Sequence, residues 1–230
     1  MSSSSTRPTP TDQRCPRTSS PTPSTPTPRA WSSLPRAASL EPAPVSGAVG
    51  RPEYLGQCLE LSLRRLKVER IDLYQFHRID PRTPLAESLG ALAELQAQGK
   101  IRHIGVSNVS VDELSAARAV VEVASVQNRY NLTDRRAEDV LGACDRDGTA
   151  FVPWAPVGDG KLARPGGPLD DAARRHGVTI SQLSLAWLLH RSPVVLPIPG
   201  TSSVAHLEEN TAAAQVTLSD DEWAALESLV

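Results

Sequence analysis

Lysine, cysteine and long apolar runs are all scarce in this chain of 230 residues. Lys67, Lys100 and Lys161 are its only lysines, and the formal net charge is -2. A polyanion-binding surface needs clustered positive charge, so this balance argues against a nucleic-acid partner. The cysteines, Cys15, Cys58 and Cys144, are odd in number and far apart. That excludes a disulfide framework and offers no metal-ligand spacing. Cys58 and Cys144 fall in helix-like stretches and read as buried thiols. No apolar run approaches the roughly 18 residues of a membrane span. The N-terminus has no apolar core of a signal peptide. The expectation is a soluble, cytoplasmic protein with no membrane partner and no metal site. No GxGxxG follows any strand-like segment, so the doubly wound dinucleotide-binding sheet has no support.

Residues 1–49 lack something else, a hydrophobic pattern. They are crowded with Ser, Thr and Pro, most plainly in PTPSTPTPRA at 21–30. Prolines break helices and remove strand donors, and sparse apolar side chains cannot repay the entropy of ordering. This stretch reads as a disordered tail.

Pattern begins at about residue 50. Glu53 to Val68 repeats Leu55, Leu59, Leu63 and Leu66 at helical spacing. Ile71 to His77, IDLYQFH, alternates as a strand: Leu73, Gln75 and His77 share one face, Asp72, Tyr74 and Phe76 the other. A helix over Pro84 to Gln98 follows, then a strand over Ile101 to Val106 and a helix over Val111 to Val120. Ala124 to Gln127 reads as a strand, and Leu132 or Thr133 opens a helix through Cys144, with Thr133 as its cap. Ala150 to Trp154 and Val194 to Ile198 read as the last two strands. Between them stand a glycine-containing loop and helices over Leu169 to His176 and Thr179 to His190. Helices over Val204 to Ala214 and Asp220 to Val230 end the chain. Five strands separated by helices predict parallel βα units. Polar residues recur at the strands' carboxyl ends, where a (β/α)8 barrel keeps its active site.

Taken singly, these residues have plain readings. His77 is a structural histidine, Trp154 and Tyr130 are packing, and Asn108 is a helix cap. Together they resemble the aldo/keto reductases of the bacterial branch. The resemblance rests on GRPEYL (50–55), IDLYQFHRIDP (71–81), GKIRHIGVSNVS (99–110), VQNRYNL (126–132), FVPWAPVGDG (151–160) and IPGTSSVAHLEEN (198–210). It implies an α/β fold, a partial (β/α)8 TIM-type barrel with the fourth to eighth strands retained, over residues 50–230. It also implies NAD(P)H-dependent reduction of a small aldehyde or ketone, with NADPH the usual cofactor. By the resemblance, His77 orients the substrate carbonyl. Ser107, Asn108 and Gln127 hold the nicotinamide carboxamide, and Trp154 stacks on its ring. Gly200, Thr201, Ser202 and Ser203, with His206, Glu209 and Asn210, grip the adenosine end. His206 stands where a 2'-phosphate arginine is common, which leaves NADH open.

The family's aspartate, tyrosine and lysine belong before the helix at Glu53. Residues 1–49 hold no tyrosine and no lysine. Three readings stay open: an out-of-frame 5' segment, a decayed relative without activity, and a non-catalytic nucleotide-binding or protein-interaction form. A truncated barrel would leave sheet edges open to self-association.

Overall fold

A computed structural model describes residues 48–158, 166 and 168–228. The expected tail over 1–49 therefore lies almost wholly outside the described residues, as does much of the loop over 155–168. Four strands, β1 (Ile71–Phe76), β2 (Ile101–Ser107), β3 (Val123–Gln127) and β4 (Ala150–Phe151), form one sheet in the order β1-β2-β3-β4. Every neighbouring pair is parallel. Eight α-helices accompany them among the described residues: α1 (Pro52–Leu66), α2 (Leu85–Ala97), α3 (Val111–Arg118), α4 (Glu138–Asp147), α5 (Pro168–His176), α6 (Ile180–Arg191), α7 (Val204–Ala212) and α8 (Asp220–Glu227). No helix there is long and apolar enough to cross a membrane.

Alternation sets the two faces of the sheet. Tyr74, Phe76, Ile104, Val106, Val126 and Phe151 join a buried cluster with Leu55, Leu59 and Leu63 of α1 and Leu89 and Leu92 of α2. Gln75, Gly105 and Ser125 line up across the other face. A Cβ on Gly105 would overlap the Gln75 amide, so glycine is what lets that side chain lie across β2. A bulge adjusts the register between β2 and β3. Ile104 pairs with Val123, but Gly105 pairs with Ser125. Without the extra residue Ser107 would face Val126. With it, Ser107 faces Gln127.

The fifth expected strand, Val194 to Ile198, is reduced to one parallel bridge between Phe151 and Val195. Phe151 N–H donates to Val194 O (2.8 Å) and Leu196 N–H to Phe151 O (2.8 Å). The next donor on that edge would be residue 153, which is a proline, so the ladder stops. The α4 start is also a correction. Thr133 does not cap a helix; its N–H and that of Asp134 donate to Asn131 Oδ1, each at 3.0 Å. That turn occupies the chain until Glu138. Cys144 is buried as expected, whereas Cys58 is only half-buried.

A carboxylate fastens the start of α1 to the loop after β1. Asp80, 2% exposed, accepts from Gly50 N–H (3.0 Å), Arg82 N–H (2.9 Å) and Thr83 Oγ1–H (3.3 Å). Ser88 Oγ–H closes the knot on Gly50 O at 2.7 Å. The Gly50 and Arg82 amides hold the Asp80 carboxyl down at about 2. A depressed folded-state value means its contribution is complete above about pH 4 and is lost as pH falls toward about 2. Urea midpoints of the wild type should fall across that window, and Asp80→Asn should remove this component of the decline.

A Cβ on Gly50 would meet Ser88 Oγ at 2.7 Å and Asp80 Cβ at 3.0 Å, while one on Gly56 of α1 meets nothing within 4 Å. Gly50→Ala should therefore cost about 1–3 kcal/mol of unfolding free energy through overpacking. Gly56→Ala should add about 0.5–1 kcal/mol through helix propensity. Chemical denaturation of the two variants checks both signs.

Candidate functional site

The four strands end close together, and one amide ties their ends. Asn108 follows β2 in the left-handed region, φ 57°. Asparagine tolerates that conformation better than most residues. Its Nδ2 donates to Ser107 Oγ (2.9 Å) and to His77 O (3.2 Å), just past β1. Its Oδ1 accepts from Trp154 Nε1–H (3.1 Å), beyond β4. Its backbone N–H donates to Gln127 O (3.0 Å) at the end of β3, and Ser107 Oγ–H donates to the same carbonyl (2.7 Å). The turn then enters α3 through a capping box, Ser110 with Glu113.

His77, Ser107, Asn108, Gln127 and Trp154 are thus brought together at one end of the sheet. His77 is exposed, Ser107 and Gln127 are buried, and Asn108 and Trp154 are half-buried. Gly200, Thr201, Ser202, Ser203, His206, Glu209 and Asn210 form a second group. Ser203 caps α7, its Oγ accepting from His206 N–H (3.4 Å), and Thr201 Oγ1 accepts from Ser203 N–H (3.1 Å). Gly200, Thr201, Ser202 and His206 are exposed. Glu209 is already engaged: its carboxylate accepts from Thr179 Oγ1–H (2.5 Å) and its carbonyl from Gln182 Nε2–H (3.1 Å), which ties α7 to α6.

Three polar residues beside the site were not singled out from sequence. Asn128, buried, pairs with both backbone groups of Val109. Arg129 lies over the Trp154 ring with its guanidinium carbon 5.0 Å from the centroid. Asp134 holds Arg129 Nε (2.9 Å) and Arg136 Nη2 (2.7 Å). The Arg136 hydrogen bond, with help from Arg129, keeps the Asp134 carboxyl down at about 2. For Asn128 and Arg129 the signal was present as the polar run QNRYN at the end of an apolar strand, five successive hydrogen-bonding side chains.

Parallel βα units with a polar cluster at the strands' carboxyl ends define a class, and comparison gives it a family. The aldo/keto reductase family matches residues 43–230, and the chain belongs to it. An uncharacterized oxidoreductase of Schizosaccharomyces pombe is 47% identical over 178 residues, 77% of this chain and 58% of that protein. Pyridoxine 4-dehydrogenase of Escherichia coli is 39% identical over 184 residues, 77% of this chain and 64% of the enzyme. An aldo/keto reductase of Klebsiella pneumoniae, crystallised with NADP and acetate, superposes with a TM-score of 0.70 at 34% identity. That match covers 76% of this chain and 64% of the other. The chain spans about three-fifths of the length of these curated relatives.

Asn108→Ala removes three side-chain hydrogen bonds and leaves a Cβ residue in the left-handed region. It should lower unfolding free energy by about 2–4 kcal/mol. Asn108→Gly loses the same bonds without the backbone penalty and should be less harmful by about 1 kcal/mol. Urea unfolding of the two variants separates the two contributions.

Proposed function

We propose that residues 50–230 form the carboxyl-terminal part of a (β/α)8 barrel. In this reading β1 to β4 and the Val195 segment stand for its fourth to eighth strands, and the end of the sheet tied by Asn108 is a nicotinamide-nucleotide site. One observation carries the reading: Asn108, through its side-chain amide and its backbone N–H, joins the carboxyl ends of four consecutive parallel strands, the position of the active site in such barrels. The donor set suits the ligand. Ser107, Asn108, Gln127 and Trp154 are all neutral, and the Gln127 amide makes no hydrogen bond with the described residues, so a carboxamide edge can pair with it. Trp154 would stack on the ring. Gly200 to Ser203, with His206, Glu209 and Asn210, would hold the adenosine end, where hydroxyls and free amides at the start of α7 suit a phosphate. NADPH is the expected nucleotide, with NADH admitted because His206 replaces an arginine.

Bound there, the nicotinamide would supply hydride to the carbonyl carbon of a small aldehyde or ketone. His77 would donate a hydrogen bond to the carbonyl oxygen. Charge developing on that oxygen needs a proton or a fixed donor, and the family's tyrosine, lysine and aspartate have no match in residues 1–49. A neutral imidazole is a weak acid toward an alkoxide. Losing one central transition-state donor costs about 10²- to 10³-fold, and losing the whole acid assembly costs more. The chain as given is thus proposed to bind nucleotide weakly and to reduce carbonyls no faster than background. The uncovered edge of β1, paired only with β2 among the described residues, favours self-association.

The test is NADPH consumption with a reactive aromatic aldehyde beside a His77→Ala control, with calorimetric titration of NADPH and NADH. The expected outcome is no turnover above background and a dissociation constant weaker than about 1 µM. Turnover near one per second that vanishes in the control would show that the acid is present and was misassigned. Submicromolar binding without turnover would move the non-catalytic nucleotide-binding reading ahead.

A further inference from the structure

The side chain of Asn128 behaves like an extra piece of backbone. Its Oδ1 accepts from Val109 N–H at 3.1 Å and its Nδ2 donates to Val109 O at 2.7 Å, the paired exchange that two strands would make. It is only 6% exposed, and both polar atoms are used. Val109 is the residue directly after Asn108. Fixing both of its backbone groups fixes the turn on the far side of Asn108, while Asn108 N–H, bound to Gln127 O at 3.0 Å, fixes the near side. Between those two restraints Asn108 has little choice but its left-handed conformation. The carbonyl of Asn128 meanwhile accepts from Trp154 N–H at 3.0 Å. One residue thus sets the backbone on both sides of the Asn108–Trp154 side-chain hydrogen bond.

We infer that Asn128 is a positioning residue for the candidate nucleotide site: it holds Asn108 and Trp154 in mutual register without itself facing the ligand. The inference rests on the nucleotide reading only for its consequence in binding; the geometric part stands apart from it. Val109 would find no substitute partner in this buried turn. An unmade pair of buried backbone groups is costly, so the turn would reorganise rather than stay. The Asn108 amide would then leave the Trp154 indole.

The indole N–H of Trp154 is the reporter, because its hydrogen bond goes to Asn108 Oδ1. In the full-length chain, nitrogen–proton correlation spectra would be recorded for the wild type, Asn128→Ala, Asn128→Asp and Ser125→Ala, with Trp154→Phe assigning the signal. Asn128→Asp retains the acceptor to Val109 N–H and turns the donor into a second oxygen facing Val109 O, so it breaks one half of the pair where Asn128→Ala removes both. Ser125 is a buried residue of β3, which Asn128 directly follows; its hydroxyl has no partner among the described residues, and it serves as the control. The expected result is a shifted or broadened Trp154 indole signal in both Asn128 variants. Those of Trp187 and Trp223 stay in place, and Ser125→Ala changes nothing. NADPH affinity should fall about tenfold in Asn128→Asp, the effect of one lost buried hydrogen bond. An unchanged Trp154 signal in a folded Asn128→Asp would overturn the inference. A moved signal in a chain whose wild type binds no nucleotide would uphold the positioning role and remove the nucleotide reading instead.

Discussion

Parallel pairing is the constraint on which the site depends. Parallel strands cannot be joined by tight turns, so each must return through a helix, and all carboxyl ends meet at one end of the sheet. Side-chain direction then follows from register, and a slip of one residue would exchange the faces. The bulge at the β2–β3 pairing therefore decides which side chains meet at that end of the sheet. It advances β3 by one residue and sets Ser107 beside Gln127, so that Ser107 Oγ–H and Asn108 N–H both reach the Gln127 carbonyl. The polar cluster follows from that one extra residue.

Where the ladder ends at Pro153, packing takes over. Tyr130 meets Phe151 edge-on with centroids 5.8 Å apart and lies against Trp187 at 5.9 Å, and Trp187 stacks on Trp223 at 6.1 Å. This column runs from β4 through α6 to α8. Each ring pair contributes about 0.5–1.5 kcal/mol beyond its burial. The polar edges are also used: Tyr130 Oη–H donates to Glu138, which also pairs with Arg191 of α6, and Arg135 lies over the Trp187 ring at 4.9 Å. Burial, with Glu138 beside it, pushes the Tyr130 phenol well above its ordinary range, so it stays a donor. The segment after β4 is thus attached to the sheet by the aromatic column, by buried aliphatic residues such as Leu183 and Leu188, and by the two hydrogen bonds at Phe151.

How much of this was legible depended on whether the deciding force was local. The helices α1, α2, α3 and α6 were legible because apolar spacing is a property of short windows; their caps were less so, since α3 is capped by Ser110 and not by Asn108, and Thr179 caps α6 from just outside it. The four strands and their parallel sense were legible for the same reason. The fifth was not, because its limit lies in Pro153 on the neighbouring strand, a partner that no local window contains. Thr133 misled for a different reason: hydroxyl and carboxylate side chains mark caps and turns alike, and Asn131 claimed the donors first. Of the site, the strand-end residues were read through family motifs. The pairing of Asn128 left no trace in the residue pattern because its side-chain partners are backbone groups, and that of Asp80 because the distant end of its knot, Gly50 N–H, is one too.

The chemistry of the site separates holding a ligand from transforming it. Ser107, Asn108, Gln127 and Trp154 are neutral, and of the nearby charges the Asp134 carboxylate holds both Arg129 and Arg136 in a single network. A neutral, hydrogen-bonding surface recognises a neutral amide well, because matched donors and acceptors replace water without an ionic desolvation cost. The same surface does little for an oxygen that gains charge during reaction, which needs a donor stronger in the transition state than in the ground state. His77 alone offers such a donor among the residues that Asn108 gathers, and Asn108 reaches it only through the backbone carbonyl. The network therefore fixes the histidine's main chain at one end of the sheet. Under the proposed function, this part of the fold would supply binding geometry, and acid strength would have to come from a group outside the strand-end cluster.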